Sequence, residues 1–105
     1  MKSREYTTEE IREQFINHVR DLIDYWDKTD RETSKEKLEG LAFSLLATID
    51  GSSVDLPAFI LATAPHECDK QYHINNNENY YPENQSDSNI AGFLHELFYK
   101  KEDEL

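Results

Sequence analysis

Two copies of one short pattern, threonine followed three residues later by glutamate, limit this chain more than anything else in it. Thr7-Thr8-Glu9-Glu10 and Thr33-Ser34-Lys35-Glu36 both match a capping box. In that motif the threonine hydroxyl and the glutamate carboxylate each accept a backbone N–H that a helix start would otherwise leave unpaired. Behind the first box, apolar residues recur at Ile11, Phe15, Ile16, Val19, Leu22, Ile23 and Trp26, the spacing of one helical stripe. This predicts a helix from about Thr8 to Lys28. Behind the second, Leu38, Leu41, Ala42, Leu45, Leu46 and Ile49 form another stripe. It ends at Asp50-Gly51, where glycine takes the left-handed conformation that closes a helix. Gly40 inside that stripe costs about 1 kcal/mol of helix propensity relative to alanine, and in exchange it lets a second helix come close. The polar break between the helices is short, so they should pack as an antiparallel hairpin.

The second half is less regular. Pro57-Ala58-Phe59-Ile60-Leu61-Ala62 is a short apolar run between prolines, which predicts a strand, although an apolar helical turn would show the same periodicity. Gln71-Tyr72-His73-Ile74 alternates in character and could pair with it as a two-stranded ribbon. Residues 75 to 87 are rich in Asn, Glu, Pro and Ser and should be loop. A last helix is expected after a cap at Asp87 or Ser88, with Ile90, Phe93, Leu94, Leu97 and Phe98 as its stripe and Lys100-Lys101 at its negative end. The fold class that follows is α+β, mainly helical: an N-terminal helical hairpin, a short strand or two-stranded ribbon, and a C-terminal helix around one core. At 105 residues the chain should be a single domain, ordered over about 7–99 with a flexible acidic tail at 100–105.

Charge excludes several functions. Eleven Lys and Arg stand against 22 Asp and Glu, a net charge of −11. Direct nucleic-acid binding needs basic residues that displace counterions, and anionic membrane surfaces repel such a chain. Neither partner is expected. With one cysteine, Cys68, no internal disulfide can form. The absence of any long apolar run makes cytoplasmic localisation the expectation.

Two chemistries have residues of the right type. His66, Cys68 and His73 lie close together in sequence, and His95 follows on the last helix. Imidazole and thiolate are zinc ligands, and a thiol beside an imidazole is the core of a nucleophilic site. A metal-binding protein or a cysteine/histidine-centred enzyme built on His66, Cys68, His73 and His95 is therefore the alternative reading. Against it, no paired C-x-x-C or H-x-x-x-H spacing occurs. The chain also has only three glycines, none near Cys68 to shape an oxyanion pocket. No phosphate-cradling loop is present, and no cofactor is expected.

The remaining group is an interaction surface. Tyr72, Tyr80 and Tyr81 stand among Glu78, Glu83 and Asp87, with Pro82 stiffening the backbone. Tyrosine offers a large rigid contact with a polar end, and surrounding carboxylates steer a basic partner and hydrogen-bond it. The competing explanation is that Tyr80 and Tyr81 pin the loop to the helices. The reading that follows is a non-catalytic acidic protein that binds, and inhibits or regulates, a protein with a basic surface, such as a nuclease or another nucleic-acid-binding protein. Exposed aromatics serve a homodimer equally well.

Two resemblances bear on this. Asp50-Gly51-Ser52-Ser53, Leu56-Pro57-Ala58-Phe59, Pro65-His66-Glu67, Glu78-Asn79-Tyr80-Tyr81-Pro82 and the run from Ile90 to Tyr99 together resemble a set of small bacterial and phage proteins without an assigned function. That likeness implies a bacterial or prophage setting. Tyr80-Tyr81-Pro82, followed by acids, Asp87-Ser88 and a helix, is similar to the immunity proteins of colicin-type nucleases. In that family the tyrosines and nearby acids bind the toxin, which implies such a role for Tyr80, Tyr81 and Asp87. The chain departs from that family over Ser52 to Ile74.

Overall fold

The computed structural model describes residues 3–30, 32–83 and 87–99. Both capping boxes form. The Thr7 hydroxyl accepts the Glu10 N–H at 3.1 Å, and the Glu10 carboxylate accepts the Thr7 N–H at 2.9 Å. They open α1, Thr8–Asp27. The Arg4 guanidinium grips both Glu10 oxygens at 2.8 Å. This grip, followed by the Thr7 N–H, holds the Glu10 carboxyl down at about 2. The Thr33 and Glu36 pair repeats the arrangement at 3.2 and 3.0 Å and opens α2, Ser34–Ile49.

α1 and α2 run antiparallel, and three cross-links set their register. The Trp26 indole N–H donates to Ser44 Oγ at 3.0 Å, and Lys37 Nζ donates to the Asp27 carbonyl at 3.0 Å. Near the other end, His18 Nε2 lies 2.8 Å from Thr48 Oγ1. Because the buried Thr48 hydroxyl gives its proton to the Ser44 carbonyl at 2.9 Å, His18 must carry its proton on Nε2 and act as donor. At Gly40 the Trp26 ring of α1 fills the space a side chain would take: a Cβ there would lie 2.6 Å from it. α2 ends in a Schellman motif around Gly51 (φ +92°), with Ser52 N–H on the Ala47 carbonyl at 2.9 Å and Gly51 N–H on the Thr48 carbonyl at 3.1 Å.

The α+β expectation is overturned: the described residues hold four helices and no strand. In the expected strand at 57–62, two N–H groups are spent on scattered acceptors. Phe59 donates to the Ile49 carbonyl at 3.0 Å and Leu61 to Asn89 Oδ1 at 2.9 Å, while the Leu61 carbonyl accepts from Ile90 at 2.8 Å. Pro57 and Pro65 bring no donor, so no ladder can extend from that single link. The second expected strand, 71–74, lies within α3, Asp69–Asn75. Asp69 accepts the His66 N–H at 2.9 Å, and Gln71 bonds Asn75 one turn on at 2.8 Å. Four residues of alternating character cannot distinguish period 2 from period 3.6.

The last helix is also shorter than expected. Asn89 Oδ1 accepts both the Leu61 and Ala91 N–H groups, and Gly92 adopts φ +123°, so regular helix starts only at α4, Leu94–Phe98. The expected acidic tail at 100–105 lies outside the described residues.

α2 contacts both α1 and α4, while α3 contacts no other helix among the described residues. The result is a slab of 53 × 50 × 19 Å with a radius of gyration of 17.9 Å, against about 13 Å for a compact chain of this length. Leu56, 8% exposed, is the one buried large hydrophobic side chain among the described residues. On α1, Phe15, Val19, Leu22 and Trp26 are half-buried, whereas Ile11, Ile16 and Ile23 stay exposed. The hairpin covers only part of the apolar stripe.

Candidate interaction surface

All the predicted contact residues except Asp87 lie on an arm, residues 62–83, that leaves the body and returns to it. At its base Leu61 bonds Asn89 and Ile90, and the Thr63 hydroxyl donates to the Pro82 carbonyl at 3.3 Å. Its interior is organised by its own short-range bonds. His73 Nδ1 lies 3.0 Å from the Glu78 carboxylate, and Glu78 N–H donates to the His73 carbonyl at 2.9 Å. Asn77 at φ +57° makes the turn between them, a conformation asparagine tolerates better than most residues.

This turn brings part of the predicted set together. Tyr72 packs edge-on against His73 at 5.3 Å, His73 pairs with Glu78, and Lys70 Nζ sits 5.4 Å from the centre of the Tyr80 ring. Tyr72, Tyr80 and Tyr81 are 61%, 48% and 66% exposed, too open for rings that pin a loop to helices. Glu83 and Asp87 are exposed as well. Lys70 was not foreseen as a member. Its ammonium covers one face of Tyr80, as a cation–π contact does, leaving Tyr72 and Tyr81 as the more open rings. Between His66 and Glu83 the arm carries Glu67, Asp69, Glu78 and Glu83 against Lys70 alone.

Three of the four residues of the metal or enzyme alternative lie on the arm and the fourth on α4. His73 pairs with Glu78 on the arm, Cys68 is exposed, and His66 is joined to Asp69 through its backbone. His95 lies on α4 against α2, edge-on to Phe43 at 5.6 Å. Among the described residues no three His, Cys, Asp or Glu side chains converge to hold a metal ion.

His95 instead belongs to a latch that sequence reasoning missed. The Asp50 carboxylate, fully buried, accepts from Gly92 N–H at 2.6 Å, His95 N–H at 2.8 Å and His95 Nδ1–H at 2.6 Å. Burial alone would push this carboxyl up. The His95 backbone and ring donors outweigh that, with help from the Gly92 and Leu94 N–H groups, and hold it at about 2. Asp50 therefore ends α2 with its backbone and caps α4 with its side chain. The Phe93 position cannot cap for itself, having no side-chain acceptor. Phe43 and Tyr99, stacked at 5.5 Å, close the joint.

No helix among the described residues is long and apolar enough to cross a membrane. Comparison with protein-family models, with curated proteins and with solved structures returns no match to this chain.

Proposed function

We propose that this chain is a non-catalytic binding protein that uses the 62–83 arm to engage, and so inhibit or regulate, a protein with a basic surface. The observation that carries this reading is the exposure of Tyr72, Tyr80 and Tyr81 on an acidic arm whose helix, α3, contacts no other helix among the described residues. Open aromatic rings ringed by carboxylates suit a partner that presents apolar pockets edged with Lys or Arg. A nuclease fits that description, and masking its basic groove is the inhibition an immunity-type or phage accessory factor performs.

The test is capture of partners from native lysate at low salt with wild type and with Tyr72→Ala/Tyr81→Ala, followed by identification and titration of the captured protein. The expected partner is basic, binds more weakly as salt rises, and is lost by the folded double variant. A partner held equally by both proteins, or no specific partner at low salt, overturns the reading.

A further inference from the structure

We infer that the face of Tyr80 is a seat for an arginine side chain of the partner, and that Lys70 of this chain fills the seat until the partner arrives. This rests on the reading of the arm as a binding surface and names the side chain that surface receives.

Lys70 Nζ lies 5.4 Å from the centre of the Tyr80 ring, and the residue is still 48% exposed. A ring that holds an ammonium at this distance presents the negative face that attracts cations in general. Ion pairing does not explain the position of Lys70. Asp69 is taken by the His66 N–H and Glu78 by His73, while Glu67 and Glu83 form no ion pair among the described residues, and neither does Lys70. Helix stability does not explain it either. Lys70 stands in the first turn of α3, where a cation opposes the helix dipole. What remains is its contact with Tyr80, on the far side of the Asn77 turn.

That contact is exchangeable. An exposed cation–π pair shifts an equilibrium only about two- to fivefold, so an incoming cation displaces Lys70 readily. Guanidinium is the better competitor, being planar, more weakly hydrated than an ammonium and able to stack on an aromatic face. Glu78 and Glu83, two and three residues from Tyr80 in sequence, add carboxylates that draw it in. Lys70 thus sets a threshold: a partner must bring something that binds the ring better than lysine does.

Nuclear magnetic resonance titration of the full chain with a capped diarginine peptide tests this, read at the Tyr80 ring and at the amides of residues 78–81. The peptide should bind saturably in the millimolar range and at least about twofold more tightly than its dilysine counterpart. Lys70→Met should bind it about two- to fivefold more tightly than wild type. Lys28→Met, which removes the same charge at the end of α1, should match wild type. Tyr80→Leu should weaken binding, and adding Lys70→Met to it should restore nothing. Equal gains from Lys70→Met and Lys28→Met overturn the inference, since bulk charge would then suffice. So does a Tyr80→Leu protein that binds like wild type, equal affinity for the two peptides, or no saturable shift. If a lysate partner is nevertheless lost by Tyr72→Ala/Tyr81→Ala, such a failure removes the seat and leaves the arm's role standing.

Discussion

Replacing Asp50 with alanine should detach α4 from the body. The carboxylate is fully buried and accepts the Gly92 N–H, the His95 N–H and the His95 ring proton within 2.8 Å. Hydrogen bonds to a charged group contribute about 1.5–3 kcal/mol each. They are not additive here, because all converge on one group. Removing the acceptor leaves these donors unpaired, and the expected loss is about 3 kcal/mol in total. Small domains are stable by only about 5–15 kcal/mol, so the variant should be markedly destabilised or lose α4 locally. Asp50→Asn keeps one acceptor oxygen and should fall between wild type and alanine. Urea unfolding followed by circular dichroism gives the global loss, and hydrogen exchange over residues 92–99 reports release of α4. The pH dependence gives an independent check. The folded carboxyl lies near 2, below its ordinary value of 3.8. Its contribution is therefore present above about 4 and is lost as pH falls from about 4 to 2. An Asp50→Ala protein within about 0.5 kcal/mol of wild type, with unchanged exchange at α4, would refute the latch.

Other outcomes follow from the hairpin. Gly40→Ala improves helix propensity by about 1 kcal/mol, yet its methyl meets the Trp26 ring 2.6 Å away. It should destabilise by about 1–3 kcal/mol and shift the tryptophan emission, and a net gain in melting temperature would contradict the close approach. Thr33→Ala removes the hydroxyl that accepts the Glu36 N–H and should cost about 1 kcal/mol in urea unfolding, with Thr33→Ser recovering most of it.

The hairpin is legible in the chain because its signals are long and redundant. A stripe from Ile11 to Trp26 repeats often enough to establish its period, and each helix also announces its start with two side chains. Gly40 could be read too, since a glycine inside an apolar stripe has few explanations besides a close neighbour. The segment after Gly51 offers no such redundancy. Residues 71–74 hold too few positions to reveal a period, and the Asp69 and Gln71–Asn75 bonds that settle α3 lie at its edges. The run at 57–62 is apolar enough for a buried strand, but among the described residues no second segment supplies the row of donors and acceptors a ladder needs. Asp50 carried its meaning least openly. Read locally it ends a helix, and its second role depends on residues 42 and 45 positions away. The arm's tyrosines stand out through composition, but whether they lie open or pin the loop is not readable there, and the placement of Lys70 over Tyr80 depends on the turn at Asn77.

Asp50 on Gly92 and His95, together with Leu61 on Asn89 and Ile90, spans the arm like two rivets on either side of a loop. The arm at 62–83 starts beside the Leu61 bonds to Asn89 and Ile90 and is tied across its base by Thr63 and Pro82. Doubling the length of a flexible loop costs only about 0.6 kcal/mol in closure entropy. The arm can therefore be lengthened, shortened or rewritten with little effect on the helices that carry it. If the arm recognises a partner as proposed, recognition and architecture are separable in this chain: descendants that face different partners can exchange the arm and inherit the scaffold whole.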